Sequence, residues 1–117
     1  MPHSLRGTYS CPVEFALEML NGKWKPVILA HLKEGTLRYG QLRALVPKLS
    51  DKMLAQRLKD LEEQGLVARQ KRGARGAPSS YRLTARGLSL APALQALYDC
   101  GERIAREVGA TIERPNR

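Results

Sequence analysis

The segment that most constrains the fold is LSDKMLAQRLKDLEEQG, which spans residues 49 to 65. Its leucines recur at i, i+4 and i+7, a spacing that places them on one face of a helix. Ser50 is a favourable N-cap, Asp51 suits the positive end of the helix dipole, and Gly65 ends the helix. We therefore predict an amphipathic helix of about residues 51 to 64. The leucines of its inward face are Leu54, Leu58 and Leu61.

A hairpin pattern follows this helix directly. The loop QKRGARGAPSS, residues 70 to 80, is basic, small and free of acids, and it lies between LVAR and YRLT. In the second flank, Tyr81 and Leu83 alternate with polar residues, as in a half-buried strand. Two short strands around a Gly-containing loop predict a β-hairpin of about residues 66 to 84.

The remaining segments of the sequence predict further helices and a short strand before and after this helix and hairpin. We expect helices in CPVEFALEMLNG and KWKPVILAHLKEG, a short strand in TLRY, and a helix in GQLRALVP. Thr84 should cap a long final helix, which Pro92 kinks or splits near its start. Two helices around a tight VPKLS turn, followed by a basic hairpin, make a winged helix-turn-helix. The expected fold class is mainly α (α+β), with an arm at 1–10, the winged domain at 11–108 and a tail at 109–117.

Charge points to a polyanionic partner. The chain has 117 residues, enough for one domain with a modest core, and its formal net charge is +9. Between Gly65 and Gly87 there are six Lys or Arg and no Asp or Glu. A one-sided basic patch is the electrostatic footprint of nucleic acid. The alternative is a basic protein that its charge merely keeps soluble.

Other features of the sequence favour a cytoplasmic protein. No apolar run approaches the length of a membrane span, and no secretory signal precedes the first helix. Two cysteines are too few for a disulfide scaffold of the secreted kind. No pair of Cys or His has the spacing of metal ligands, so we expect no metal site and no cofactor.

Helix geometry selects the residues that would touch DNA. Successive helix residues are about 100° apart, so Lys52, Gln56 and Lys59 lie opposite the leucines, with Arg57 at the flank. The polar side chains suit base edges and phosphates. The alternative for this helix face is a solvated charged surface, and the alternative for Tyr39 is packing under the hairpin. The predicted double-stranded DNA contacts are Arg38, Tyr39, Ser50, Lys52, Gln56, Arg57, Lys59, Lys71, Arg72 and Arg75.

Two other functions fit the sequence less well. The second class is a basic module that binds RNA or coats the chromosome; against RNA stands the lack of stacking residues, because Phe, Trp and Tyr total six and none lies in the basic loop. A thiol enzyme would need a base beside its nucleophile, and neither His is placed by sequence to serve Cys11. We therefore expect no enzyme and no catalytic residues.

Several ordered motifs resemble the HxlR family of bacterial winged-helix regulators, which are distant relatives of MarR proteins. These motifs are the CP start, GKWKP, RY-x-x-L, S-x-K-M-L-x-x-R-L-x-x-L, GLV and Y-x-LT-x-x-G. The resemblance runs from about Cys11 into the last helix. It implies a homodimeric transcription factor, joined through its first and last helices, that binds near-palindromic operators. It also implies sensing of electrophiles or oxidants through the cysteine that Cys11 matches.

The sequence departs from the family pattern at three places. The wing usually carries Pro-Pro-x-x-Glu-Tyr, whereas AP-SSY keeps one Pro and loses the acid, which suggests stronger phosphate contact. Cys100 stands where the last helix usually has Trp, and this puts a second thiol near the expected dimer seam. Tyr39 stands where Phe is commoner, a change that we expect to be neutral.

The two cysteines are the candidates for redox sensing. Cys11 precedes Pro12 at a helix start, where backbone amides and the dipole favour thiolate over thiol. The alternative is a small buried hydrophobic residue, the commonest fate of a free cysteine. Cys100 is the weaker candidate, and its best role is a disulfide partner across the dimer.

An apolar stripe on the last helix predicts a homodimer. The compact domain already has helices and a hairpin to fill its core, so we expect much of this stripe to lack an internal partner. Pairing with a second copy, together with the CPVEF helix, would bury it. The predicted dimer residues are Leu90, Leu94, Leu97, Gly101, Ile104 and Val108.

Overall fold

The structure, a computed structural model, describes residues 7–71 and 79–113. The described elements follow the order predicted for a winged helix-turn-helix, and the fold class is confirmed. Along the chain they are α1 (Pro12–Leu20), α2 (Lys25–Leu32), β1 (Leu37–Arg38), α3 (Tyr39–Leu45), α4 (Asp51–Glu63), β2 (Val67–Gln70), β3 (Ser80–Leu83), α5 (Ala85–Leu88) and α6 (Ala91–Val108). None of these helices is long and apolar enough to cross a membrane.

The predicted hairpin is present and forms part of a three-stranded antiparallel sheet. Its strand order is β1-β3-β2, so the short strand ahead of α3 pairs with the returning strand of the hairpin. The register places Val67 opposite Leu83, and Leu37 opposite Tyr81. The sheet therefore ties the start of α3 to the base of the wing.

The core of the domain lies between α2, α3, α4 and the sheet. Leu54, Leu58 and Leu61 are at most 1% exposed, as the periodicity of α4 predicts. Each fully buried aliphatic side chain of this kind contributes about 1.5–3 kcal/mol relative to an exposed one. The buried hydrophobic residues are Ile28, Leu29, Leu32, Leu42, Val46, Leu49, Leu54, Leu58, Leu61, Leu66, Val67, Tyr81, Leu83 and Leu94.

Two glycines fix the junction between α4, the hairpin and α5. Gly65 has φ +76°, so the chain leaves α4 through the left-handed conformation that glycine adopts at low cost. Gly87 has an ordinary φ but faces the backbone at Leu66, and a Cβ at this position would collide with the Leu66 carbonyl oxygen. Backbone cannot move aside as a flexible side chain can, so α5 packs here only with glycine.

The C-terminal helical segment is split, as Pro92 predicts, but the cap belongs to a different helix than expected. The Thr84 hydroxyl accepts a hydrogen bond from the Gly87 amide at 3.1 Å and so caps α5, which ends at Leu88. The long helix α6 starts afresh at Ala91, with Pro92 in its first turn. The sequence-based assignment of Thr84 as the cap of the long helix is therefore wrong.

Only part of the predicted dimer stripe is exposed. Leu94 is 3% exposed and belongs to the core, and Leu90 packs against that core. Both lie on the first turn of α6 or just before it, where α6 contacts α2. Leu94 is covered by its own chain, so its assignment to the dimer surface is wrong, whereas Leu90 is only half-buried and its assignment stays a prediction. Further along, exposed residues of the stripe are Leu97, Gly101, Ile104 and Val108.

Candidate DNA-binding surface

Helix α4, predicted to read DNA, begins at a well-formed cap. The Ser50 hydroxyl accepts a hydrogen bond from the Met53 amide at 3.2 Å, and Asp51 lies in the first turn. Such a cap satisfies one of the free amides at the start of the helix. Ser50 is itself exposed, so the N-terminal end of α4 opens to solvent rather than into the domain.

The face of α4 opposite the buried leucines is polar and exposed. It carries Lys52, Gln56 and Lys59, with Ala55 between them, and all four are exposed. The Gln56 amide donates to the Asp60 carboxylate at 2.9 Å, an exposed bond within one helical turn. A bond of this kind exchanges readily with water, so the amide remains available to another partner.

Arg57, predicted at the flank of α4 as a DNA contact, is bonded within its own chain. Its Nε donates to the Lys23 carbonyl oxygen at 3.0 Å, and its guanidinium pairs with Asp60 at 3.4 Å. The side chain is only 20% exposed. A base contact would require Arg57 to leave both partners. We therefore leave it out of the proposed DNA contacts.

Tyr39 is also engaged within the domain. Its hydroxyl donates to the Asp51 carboxylate at 3.1 Å, and Arg43 Nε donates to the same carboxylate oxygen at 2.9 Å. Burial raises the pKa of Tyr39, and the hydrogen bond to Asp51 raises it further. Tyr39 thus joins α3 to the start of α4, and its ring packs against the core, as the alternative reading of this residue expected.

Arg38 is exposed at a notch between the helix-turn-helix and the wing. Its backbone amide donates to the Gln41 side-chain oxygen at 2.8 Å, and the guanidinium takes no part in this bond. The polar notch has a volume of about 290 Å³. Its lining brings together the start of α3 and the loop end of the hairpin strands: Thr36, Arg38, Gln41, Gln70 and Ser80.

The described part of the wing exposes more cations than the predicted site included. Lys71 is exposed where the chain leaves β2, as are Arg69 and Arg82 on the strands. Arg82 is one of the six basic residues between Gly65 and Gly87, and strand alternation alone indicates that it faces away from Tyr81 and Leu83. Arg72 and Arg75 at the tip lie outside the described residues.

One cation of the basic stretch, Arg86, is already bonded to the backbone of its own chain. Arg86 donates from Nη1 to the Gln64 carbonyl oxygen at 2.7 Å. It therefore satisfies a carbonyl at the end of α4, a structural role that the count of basic residues could not distinguish from a surface charge.

Both cysteines are free and exposed, so the alternative of a buried hydrophobic residue is wrong for Cys11. Cys11 is the N-cap of α1, as predicted, but Glu14 lies in the same first turn. Hydrogen bonds from Ser10, first from its backbone, lower the pKa of Glu14. Cys100 Sγ, on α6, accepts from Arg103 Nη2 at 3.6 Å.

Within residues 7–71 and 79–113, no group of three or more His, Cys, Asp or Glu could hold a metal ion. His31 lies half-buried on α2.

These features define a winged helix-turn-helix protein with an exposed, basic recognition surface. The chain belongs to the HxlR-like helix-turn-helix family, whose model matches residues 19–108. It is thus a transcriptional regulator of the helix-turn-helix type. The resemblance noted in the sequence motifs is confirmed.

Relatives and solved structures agree with this assignment. The chain is 37% identical over 93 residues to YdeP of Bacillus subtilis strain 168, described as an uncharacterized HTH-type transcriptional regulator; the match covers 80% of this chain and 73% of YdeP. The redox regulator HypR in its reduced form is 33% identical, with a TM-score of 0.78 and coverage of 84% of this chain and 96% of HypR. The reduced transcriptional regulator YodB from B. subtilis is also 33% identical, with a TM-score of 0.65 and coverage of 83% and 92%.

Proposed function

We propose that the protein binds a specific operator in double-stranded DNA by inserting α4 into the major groove. The observation that carries the proposal is the exposed face of α4, where Lys52, Gln56 and Lys59 stand opposite the buried leucines. Gln56 has the donor and acceptor that match an adenine edge, and the lysines suit phosphates or guanine. Arg38, Ser50 and the wing contact the backbone on either side.

The wing in this proposal supplies affinity for phosphate. Lys71, Arg69 and Arg82 are exposed on its described part, and Arg72 and Arg75 add charge at the tip. Flexible cations gain affinity mainly by displacing the counterions of the DNA backbone. Sequence is then read by α4, and the wing holds the complex together.

The binding form in this proposal is a twofold dimer built from α1 and the exposed part of α6. Val13 and Leu17 on α1 are 65% and 61% exposed, and Leu97 on α6 is 56% exposed. An apolar groove of about 820 Å³ beside Leu97 and Tyr98 offers further surface that a second copy would cover. Exposed apolar area of this extent on a small regulator is best explained by self-association.

Control by an electrophile or oxidant is the finer part of the proposal. Both thiols are exposed and therefore open to such reagents. HypR is named as a redox regulator, and its fold is similar over most of this chain. Cys11 lies on α1 and Cys100 on α6, so modification of either thiol would act on the helices assigned to the dimer.

The test of sequence reading is Gln56→Ala, with Glu63→Ala at the far end of α4 as the matched control. Loss of one base contact should weaken binding to the selected operator by about 1–3 kcal/mol and binding to random DNA far less. Titrations of both duplexes at one fixed salt concentration measure the difference. Equal losses on operator and random DNA would contradict the assignment of α4 as the reading helix.

A further inference from the structure

The segment of residues 19–24, which joins the last turn of α1 to α2 and is called the connector below, is bound by three side chains at alternate carbonyl groups. Gln64 Nε2 donates to the Met19 carbonyl oxygen at 3.2 Å, and Arg57 Nε donates to that of Lys23 at 3.0 Å. Between them, Lys25 Nζ donates to the Asn21 carbonyl oxygen at 3.1 Å. Arg57 lies on α4 and Gln64 is its C-cap, so the recognition helix itself holds both ends of this connector.

Two of the three donors, Gln64 and Lys25, are shielded from water, which makes their bonds costly to lose, whereas the bond from Arg57 to Lys23 is more exposed. Gln64 and Lys25 are 2% and 4% exposed, and the Arg57 side chain is 20% exposed. A carbonyl or amide left unpaired in such a position loses its hydrogen bond without full compensation from solvent. The connector and α4 should therefore move together.

The connector is also held in a backbone conformation that leaves it little freedom to adjust. Trp24 has φ +79°, in the left-handed region that bulky residues rarely adopt. Such a conformation persists only where the surroundings impose it. Helix α1, in contrast, contains no buried residue. Met19 and Leu20 in its last turn pack against the core, so the rest of α1 is positioned through this end and through whatever covers its exposed apolar side chains.

We propose that Arg57 and Gln64 are positioning residues that couple α1 to the recognition helix. A displacement of α1, by a second copy of the chain or by a modified thiol, is passed through the connector to α4. This inference rests on the proposed function, since it concerns the helix assigned to DNA reading. Coupling is reciprocal, so DNA bound at α4 must in turn change the stability of α1.

Amide hydrogen exchange of residues 12–25, measured by mass spectrometry, tests this reciprocity. The parent is compared with and without a saturating concentration of a duplex selected from a random pool. The protein concentration is chosen so that both samples start from the same oligomeric state before duplex is added. Binding should slow exchange in this segment by at least about fivefold, the lower end of measured coupling between sites. In Arg57→Lys, which keeps the charge, and in Gln64→Leu, which keeps the volume, the slowing should fall below twofold.

Lys59→Ala is the matched control, because Lys59 lies on the exposed face of α4 and holds no bond to the connector. It should weaken DNA binding and yet, at saturating duplex, retain the slower exchange of residues 12–25. Thermal melting identifies the variants that fold, and Arg57→Gln replaces either variant that does not.

Three results would overturn the coupling. Exchange in residues 12–25 could be unchanged by DNA in the parent, or it could slow equally in the parent and in the variants of Arg57 and Gln64. Alternatively, Arg57→Lys could alter preference at a single base pair only, which would make Arg57 a base contact. Failure of the proposed function is separate: the parent would then bind no duplex in preference to random DNA, and the coupling would fall with it.

Discussion

The winged-helix core and the two outer helices differ in how far one chain completes them. Among residues 7–71 and 79–113, the core around α2, α3, α4 and the sheet buries fourteen hydrophobic residues, including Leu94 from α6. The outer helices behave differently: α1 buries no residue, and α6 buries only Leu94. The part that would meet DNA is thus formed by its own chain, whereas the part assigned to assembly leaves apolar side chains for a second copy.

The largest effect should come from Leu97→Asp on the exposed part of α6. In a twofold dimer the change brings two carboxylates to the seam, and such like-charge placement costs several kcal/mol, a factor of about 10² or more in the dimer dissociation constant. Sedimentation at low micromolar concentration should give a dimer for the parent and a folded monomer for the variant.

Gln95→Glu makes the same change in charge on the other side of α6, where Gln95 bonds only to Asp99 within the helix. It should leave the dimer intact. If the parent sediments as a folded monomer, the outer helices do not form a dimer surface, and the proposed difference between them and the core is wrong.

The core should respond to Leu58→Ala. Leu58 is 1% exposed, and deletion of a buried leucine side chain costs about 2–5 kcal/mol in unfolding free energy. Leu88→Ala, at a position 54% exposed, should cost within about 0.5 kcal/mol. Urea unfolding of the two variants and the parent measures both values, and similar losses would mean that α4 is not the central helix of a self-contained core.

The wing should show a smaller and purely electrostatic effect. Replacing Lys71, Arg72 and Arg75 with Ala should reduce the slope of log K against log salt by at most about 2.7, at about 0.9 per phosphate contact. Discrimination between operator and random DNA should remain. If discrimination collapses while the salt slope is unchanged, the wing reads bases and its assignment to phosphate is wrong.

The smallest effect should come from Tyr39→Phe, which removes the bond to Asp51 and keeps the packed ring. The expected loss is about 1 kcal/mol in unfolding free energy, the usual net value of one hydrogen bond. The pKa of Tyr39 is raised in the folded protein, so its contribution is present below the ordinary tyrosine pKa and is lost as pH rises through the folded value.

Absorbance titration of the phenolate should therefore lose a late alkaline step in Tyr39→Phe. Unchanged titration and unchanged stability would show that the Tyr39 hydroxyl does not hold α4. Arg43, which shares the Asp51 carboxylate, would then be its main anchor.

Local patterns in the sequence were sufficient to predict the domain. Leucine spacing fixed the inward face of α4, Ser50 its start and Gly65 its end, and the structure agrees at each point. The alternating residues around the basic loop gave the hairpin, and Pro92 gave the break before α6. These features depend on residues within a few positions of one another, which is why periodicity and capping suffice.

Features set by distant residues were not predictable in this way. Arg57 was assigned from its angle on α4, but its partner Lys23 is 34 positions away in sequence. Helical geometry gives the direction of a side chain and not the loop that lies beside it. Leu94 was placed on the dimer stripe for the same reason, because the pattern of α6 alone does not show where α2 covers it.

The central claim is that two recognition helices of one dimer read two related half-sites. The most direct test is hydroxyl-radical footprinting on a duplex selected from a random pool, together with the mass of the complex. We predict two chains per duplex and two protected stretches on one face, about 10 base pairs or 34 Å apart between centres. A single asymmetric protected stretch bound by one chain, or no selected sequence at all, would contradict the claim.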